Sequence, residues 1–242
     1  MIEIEHILVL IGVVLVLFFA ALLLTSKKYR SPTNNFLALA IIMLAIIILK
    51  IEGILAGSFL DEMFDFIRIE YAFGFVLYLY VMKALNAKIK RAVYVLLAAP
   101  FVLFSSFYAF ALLTDKFDIE APSMLLEQIE PIEIYLILGF NLLVIFLFTS
   151  KVQGSNSSKS FKNWIYIISI GLTVVLGTFF ALEVVEFFFD RYDELYWRLG
   201  IALFFVLLTY YGVQQLQVER ELTQIKKIVH NPPPVHRSKR TT

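Results

Sequence analysis

Apolar positions along this chain collect into seven long runs separated by short polar stretches. The runs cover residues 7–25, 36–57, 67–84, 92–114, 132–150, 164–189 and 195–213. Each is close to the roughly 20 apolar residues that a helix needs to cross a bilayer. None alternates in the short pattern of a barrel strand. In hydrocarbon every backbone polar group must be satisfied within its own segment, so helices are what remain. The pattern predicts an all-α membrane protein: a seven-transmembrane helix bundle over residues 1–216, a short cytoplasmic amphipathic helix over 217–230 extending the last span, and a disordered basic tail over 231–242.

Composition agrees with lipid as the solvent. The chain is 60% hydrophobic and holds 24 Phe in 242 residues, with a mean hydropathy of +0.81, beyond what a water-exposed domain carries. The opening MIEIEH has acids where a secretory signal has Lys or Arg, so the first run is read as a retained helix. There are no Cys, which removes disulfides, thiol catalysis and cysteine metal sites.

Charge fixes a direction. Alternate connections hold Lys27, Lys28 and Arg30; Lys88, Lys90 and Arg91; Lys151, Lys159 and Lys162; and, after the last run, Arg220, Lys226, Lys227, Arg237, Lys239 and Arg240. The others hold Asp61, Glu62 and Asp65; Asp115, Asp118, Glu120, Glu127 and Glu130; and Asp190, Asp193 and Glu194. By the positive-inside rule the first set faces the cytoplasm, which gives an N-terminus outside, a C-terminus inside and residence in the cell inner (cytoplasmic) membrane.

Several charges interrupt the apolar runs. In IIMLAIIILKIEGILAG (41–57), Lys50 lies about two thirds of the way across at 1.5 Å per residue, with Glu52 slightly further out. Two residues apart on a helix, they project to nearly opposite sides, so each needs a partner elsewhere. Glu183 and Glu186, in ALEVVEFFFD, together with Arg198, Arg68 and Glu70, fall in the same outer layer. A charge at such depth is costly unless it faces the bundle interior or water, so Lys50, Glu52, Glu70, Glu183, Glu186 and Arg198 are candidates for a ligand site or ion path; a Lys50–Glu183 pair that merely fixes packing is the alternative. Asn141 suits a cross-helix hydrogen bond, Pro100 a kink, and Gly74, Gly139, Gly171, Gly177 and Gly200 close helix packing. Trp164, Tyr192, Tyr196 and Trp197, near run ends, read as interfacial anchors.

Much chemistry is excluded. The three His are His6, His230 and His236, so no His pair can hold haem within the bundle and no HExxH zinc motif exists. No run offers a Ser beside a His, a Gly-rich phosphate loop, or a seventh-run Lys for a retinal Schiff base. No catalytic residue, metal or cofactor is assigned. After the last run, QQLQVERELTQIKKIVHNPPP places Val218, Leu222, Ile225 and Val229 at heptad-like spacing. They form either a seam for a homodimer or cytoplasmic regulator, or a surface helix whose Arg220, Lys226 and Lys227 face anionic headgroups. The basic tail is read as a topology and lipid-contact signal, and direct nucleic-acid binding is not expected.

The third run, YAFGFVLYLYVMKALNAKIKR, resembles the stretch GPLLYxYVKSL in the membrane-embedded N-terminal regions of some AraC-type bacterial transcription regulators, chiefly at Gly74, Tyr78, Tyr80 and Lys83. The second run, opening NNFLALAIIMLAIIIL, and the helical lead after the last run are similar to the same regions. The resemblance implies a sensor module, here without the DNA-binding domain, acting through a partner. The expected function is sensory: an outward cluster around Lys50, Glu52 and Glu183 receives an extracytoplasmic or membrane signal that the last helix relays inward. A small ion- or proton-coupled transporter or channel, and an accessory membrane subunit, stand as alternatives.

Overall fold

The computed structural model describes residues 4–115, 120–189 and 195–230, with side chains described throughout except at 5, 62, 65, 66, 112–115, 120–128, 130, 131, 182–189, 195, 196 and 217–230. These residues form α1 (Ile4–Thr25), α2 (Pro32–Ile51), α3 (Phe59–Phe66), α4 (Ile69–Ala84), α5 (Arg91–Asp115), α6 (Glu120–Gln153), α7 (Lys159–Phe189) and α8 (Leu195–His230), with no strand among them. The stretch expected as a basic tail, 231–242, lies outside the described residues.

Six helices, α1, α2, α5, α6, α7 and α8, contain a segment long and apolar enough to cross a membrane. Their outward faces suit lipid: Phe18, Leu96, Phe146 and Leu203 are each more than 60% exposed, a display that water would penalise and acyl chains do not. The chain is a multi-pass membrane protein by the length and composition of these helices.

The second and third apolar runs depart from expectation. The run 36–57 does not stay helical to its end, because α2 closes at Ile51 with Glu52 as its C-cap. Gly53 takes φ +66, its N–H donates to Lys50 O at 2.9 Å, and the Ile54 N–H donates to Leu49 O at 3.0 Å. This is the glycine-terminated helix end in which a left-handed residue lets the last carbonyls find donors. Lys50 and Glu52 therefore sit in the final turn and cap rather than in the helix body, and Lys50 there complements the negative end of the helix dipole. The chain then turns through 52–58 into α3, capped by Ser58 Oγ accepting from the Asp61 N–H at 3.2 Å.

The third run yields only the 16-residue α4, about 24 Å long at 1.5 Å per residue and short of a roughly 30 Å hydrocarbon core. It ends as α2 does, with Asn86 at φ 51 in place of Gly. Yet α4 is the most enclosed helix: from Tyr71 to Met82 only Phe75 and Leu79 are not buried.

Packing follows a closed circuit in which α1 contacts α2, α2 contacts α4, α4 contacts α6, α6 contacts α7, α7 contacts α8, and α8 returns to α1; α5 leans on the outside of α4 and α6, with α3 against it. On α1 the buried stripe Val9, Val13, Val16, Phe19, Ala20 and Leu23 faces this core. Small residues let helices approach where the sequence suggested they would at Gly171, under the Phe204 ring, and at Gly74, where an added Cβ would lie 2.6 Å from Asn141 Oδ1. Gly139, Gly177 and Gly200 face open space instead, so they do not serve close packing. Helix α5 runs on through Pro100.

Both tryptophans differ from the interfacial reading. Trp164 and Trp197 are each 3% exposed, with the Trp164 indole N–H donating to Tyr80 Oη at 3.1 Å and the Trp197 ring in tilted contact with Phe179, centroids 5.2 Å apart. A buried indole needs an acceptor or a neighbouring ring, and the bundle interior supplies them. Tyr192 and the side chain of Tyr196 lie outside what the structure describes.

Candidate functional site

The end of the bundle where α1, α4, α6 and α8 begin and α2 ends carries the acid-rich connections, and it gathers the charged residues that interrupt the apolar runs. They fall into two clusters and a cavity.

The first cluster joins α1, α2 and α8. Arg198 Nε donates to Glu52 Oε2 at 3.0 Å, and His6 Nε2 lies 3.4 Å from the same oxygen. The Glu52 side chain is 2% exposed. Because Glu52 is the cap of α2 and not an interior residue, its carboxylate can swing to the neighbouring helices, which a position inside the helix would restrict.

The second cluster joins the start of α4 to α5 and α6. Arg68 Nη2 pairs with Glu133 Oε2 at 3.0 Å, Tyr108 donates its hydroxyl proton to the same carboxylate, and the guanidinium lies 3.5 Å from the Tyr108 ring centroid. The Arg68 N–H donates to Ser105 Oγ at 3.1 Å. Arg68 is the N-cap of α4, so its backbone bond to Ser105 supplies a cap that its own side chain does not. Glu133 was not singled out in the sequence, although a lone acid one residue inside an apolar run is the very signal that marked Lys50.

Between the clusters, inside the helix circuit, lies a cavity of about 710 Å³. Its body is apolar, with Leu44, Ile48, Phe73, Leu138, Leu172 and Val175 in the wall, and its polar part comes from Lys50, Arg68, Glu70, Tyr108, Asn141 and Trp197. Lys50 Nζ donates to Phe64 O at 3.4 Å, tying the last turn of α2 to α3. Asn141 uses both amide hydrogens, donating to Glu70 O at 3.2 Å and to Ile137 O at 2.9 Å, which is the cross-helix bond expected of it. Four residues of the wall carry buried polar atoms that no described residue meets: Glu70 Oε2, Arg68 Nε, Asn141 Oδ1 and Trp197 Nε1. Buried polar atoms without partners are costly, so a site that holds several invites a polar ligand group.

Toward the basic end Leu37, Ile41, Leu77, Ile168 and Leu208 are buried in the core around a separate void of about 20 Å³. Side chains of that core close the passage.

The structure thus brings Lys50, Glu52, Glu70 and Arg198 to one end of the bundle and pairs Glu52 with Arg198. The Glu183 and Glu186 side chains, and with them the Lys50–Glu183 pair, lie outside the described residues, as do the side chains of Val218, Leu222, Ile225 and Val229. No group of ligating side chains suited to a metal ion occurs among the described residues. No family model matches the chain, no curated protein matches it and no solved structure matches it.

Proposed function

We propose that this chain is a membrane-embedded sensory protein of the inner membrane: seven helices cross the bilayer with the N-terminus outside, the cavity at the outer end takes up a small molecule, and α8 passes the resulting shift to a cytoplasmic partner. In this reading α4 is the seventh span. Its shortness is tolerated because α2, α5 and α6 surround it, so protein rather than lipid sets the length it must match. The acid-rich and base-rich connections alternate without exception along the chain, which supports the orientation.

The observation that carries the reading is the continuity of α8. Near its start Trp197 forms part of the cavity wall and Arg198 grips Glu52, and the same helix runs unbroken to His230. That end lies about 21 Å beyond Leu216, the last residue of its apolar segment, at 1.5 Å per residue. A rigid helix fixed to the site at one end and projecting past the membrane at the other is suited to relay a tilt or rotation. The closed passage below the cavity favours this reading over a channel. The resemblance to sensor regions of AraC-type regulators points the same way.

The chain has no Cys, so Ser26→Cys and Gln214→Cys place a spin-label pair at the basic end without background. Distances in this pair are compared with and without Lys50→Met. A relay keeps the folded yield and changes the distance distribution. Reduced yield with an unchanged distribution assigns Lys50 to packing alone, and loss of pH-dependent proton flux in liposomes assigns the chain to transport.

A further inference from the structure

A second hollow lies at the opposite, base-rich end of the bundle, between α7 and α8, and it stands apart from the sensory reading. We infer that this groove holds an anionic glycerophospholipid, with its phosphate among the hydrogen bond donors of the two helices and an acyl chain along Ile167 and Ile170.

Shape and depth point to a lipid. The groove measures about 530 Å³, within the range of small-molecule sites, and Asn163, Tyr166, Tyr211 and Gln214 form its polar rim. Ile170, in the same lining, is 64% exposed, so the groove opens outward to acyl chains and not into the helix circuit. Asn163 lies about 6 Å from Lys159, where the apolar segment of α7 begins, and Gln214 about 3 Å from Leu216, where that of α8 ends. Ile167 and Ile170 lie about 12–17 Å in from Lys159. The rim is thus at headgroup depth and the isoleucines at chain depth, a division that a lipid fills and a soluble anion does not.

The donors suit a phosphate. Ser160 Oγ donates to Gln215 Oε1 at 2.7 Å, which ties the two helices across the groove. Gln214 Nε2 donates one hydrogen to Tyr210 Oη at 2.7 Å and keeps a second. Asn163, Tyr166 and Tyr211 make no side-chain hydrogen bond among the described residues. Amide and phenol donors so placed match a phosphate diester, which offers oxygen acceptors and no donor of its own. Trp164 has already given its N–H to Tyr80, so its ring serves the groove as an apolar wall.

Charge selects the headgroup. Lys159 and Lys162 precede the rim residues Asn163 and Tyr166 by four positions each on α7, so each stands one turn beyond its rim residue on the same face. The Lys162 ammonium donates to a neutral acceptor, Gln153 O, at 3.3 Å. The acids of this end, Glu219 and Glu221, flank Arg220 and are followed by Lys226 and Lys227. A choline head would bring its own cation against these lysines, whereas a glycerol head adds none and leaves the phosphate charge to them.

Trp164 is the reporter, because Trp197→Phe, which keeps a ring against Phe179, leaves it the only indole. The full chain with this change is reconstituted in phosphatidylcholine bilayers. It then receives, at rising mole fraction, phosphatidylglycerol, phosphatidylcholine or diacylglycerol, each brominated near the glycerol end of its chains. Phosphatidylglycerol is expected to half-quench Trp164 at a mole fraction about fivefold below phosphatidylcholine, the ratio one Lys beside an anionic headgroup provides. Diacylglycerol, which has no phosphate, is expected to need the highest fraction. Lys159→Gln with Lys162→Gln should close the gap between the two phospholipids, and Asn163→Leu should narrow the gap between phosphatidylcholine and diacylglycerol.

Equal midpoints for the two phospholipids overturn the anionic assignment, and diacylglycerol quenching as readily as phosphatidylglycerol overturns the phosphate. Equal quenching by all three reduces the groove to ordinary lipid contact. A phosphatidylglycerol preference that survives the lysine changes puts the anion elsewhere and overturns the site. The order of the three probes on the chain with intact lysines decides the lipid class even where a variant fails to fold. None of these outcomes touches the cavity at the acid-rich end, so the sensory reading stands or falls separately.

Discussion

Glu133 is 3% exposed and shared by two donors from different helices, Arg68 and Tyr108. A buried carboxylate of this kind is tolerated because a cation and a hydroxyl replace the water it loses, and removing the anion strands the guanidinium. Glu133→Ala is therefore expected to destabilise the folded chain by about 3 kcal/mol, whereas Tyr108→Phe, which leaves the ion pair in place, should cost only about 1 kcal/mol. Thermal unfolding of the purified protein in detergent distinguishes the two. An equal loss in both variants rules out the ion pair as the dominant contact. The same logic applies to Glu52 and Arg198. Arg198→Met leaves a carboxylate of 2% side-chain exposure with, among the described residues, His6 beside it, and the double variant Glu52→Leu, Arg198→Met is expected to recover much of what the single change loses. A double-mutant cycle on unfolding midpoints measures that coupling.

Helices make a second kind of claim, because the same residue type behaves differently according to what it faces. Gly171 lies beneath the Phe204 ring and Gly177 faces open space. Gly171→Ala is expected to destabilise by roughly 1–3 kcal/mol through overpacking between α7 and α8. Gly177→Ala is expected to gain about 0.5–1 kcal/mol, since Ala favours the helix and meets no neighbour. Denaturant titration of the two variants, followed by circular dichroism, should move their midpoints in opposite directions. Gly53 belongs to the end of α2, where φ +66 suits Gly far better than a residue with a Cβ. Its position in KIEGIL was a readable stop signal, and reading it would have placed Lys50 and Glu52 at a helix end from the sequence alone. The brevity of α4 was less legible, because the bend at Ile67 and Arg68 depends on Ser105 of α5 taking the first free N–H.

For the whole molecule, the orientation has a direct test. Ala56, between α2 and α3, and Asn156, between α6 and α7, are both exposed and lie at opposite ends of the bundle. In intact spheroplasts a membrane-impermeant maleimide should label Ala56→Cys and leave Asn156→Cys unmodified until lysis. The reverse pattern inverts the topology, and labelling of both before lysis removes the barrier that the arrangement assumes. Labelling of Ala56→Cys alone would mean that the cavity at the acidic end opens to the extracytoplasmic side and that the end of α8 lies in the cytoplasm.

The sequence by itself determined the solvent, the helical class and the clustering of charge at one end, because a bilayer imposes a uniform demand on length and polarity that each segment meets locally. Tertiary structure decided which charges meet, which glycines are packed, that Trp164 and Trp197 turn inward, and that a cavity rather than a filled core lies among α2, α4, α6, α7 and α8. Those outcomes depend on the rotation of each helix about its axis and on its choice of neighbours. A helix that is apolar on every side carries no stripe to announce either, so that information arises only when the helices close against one another.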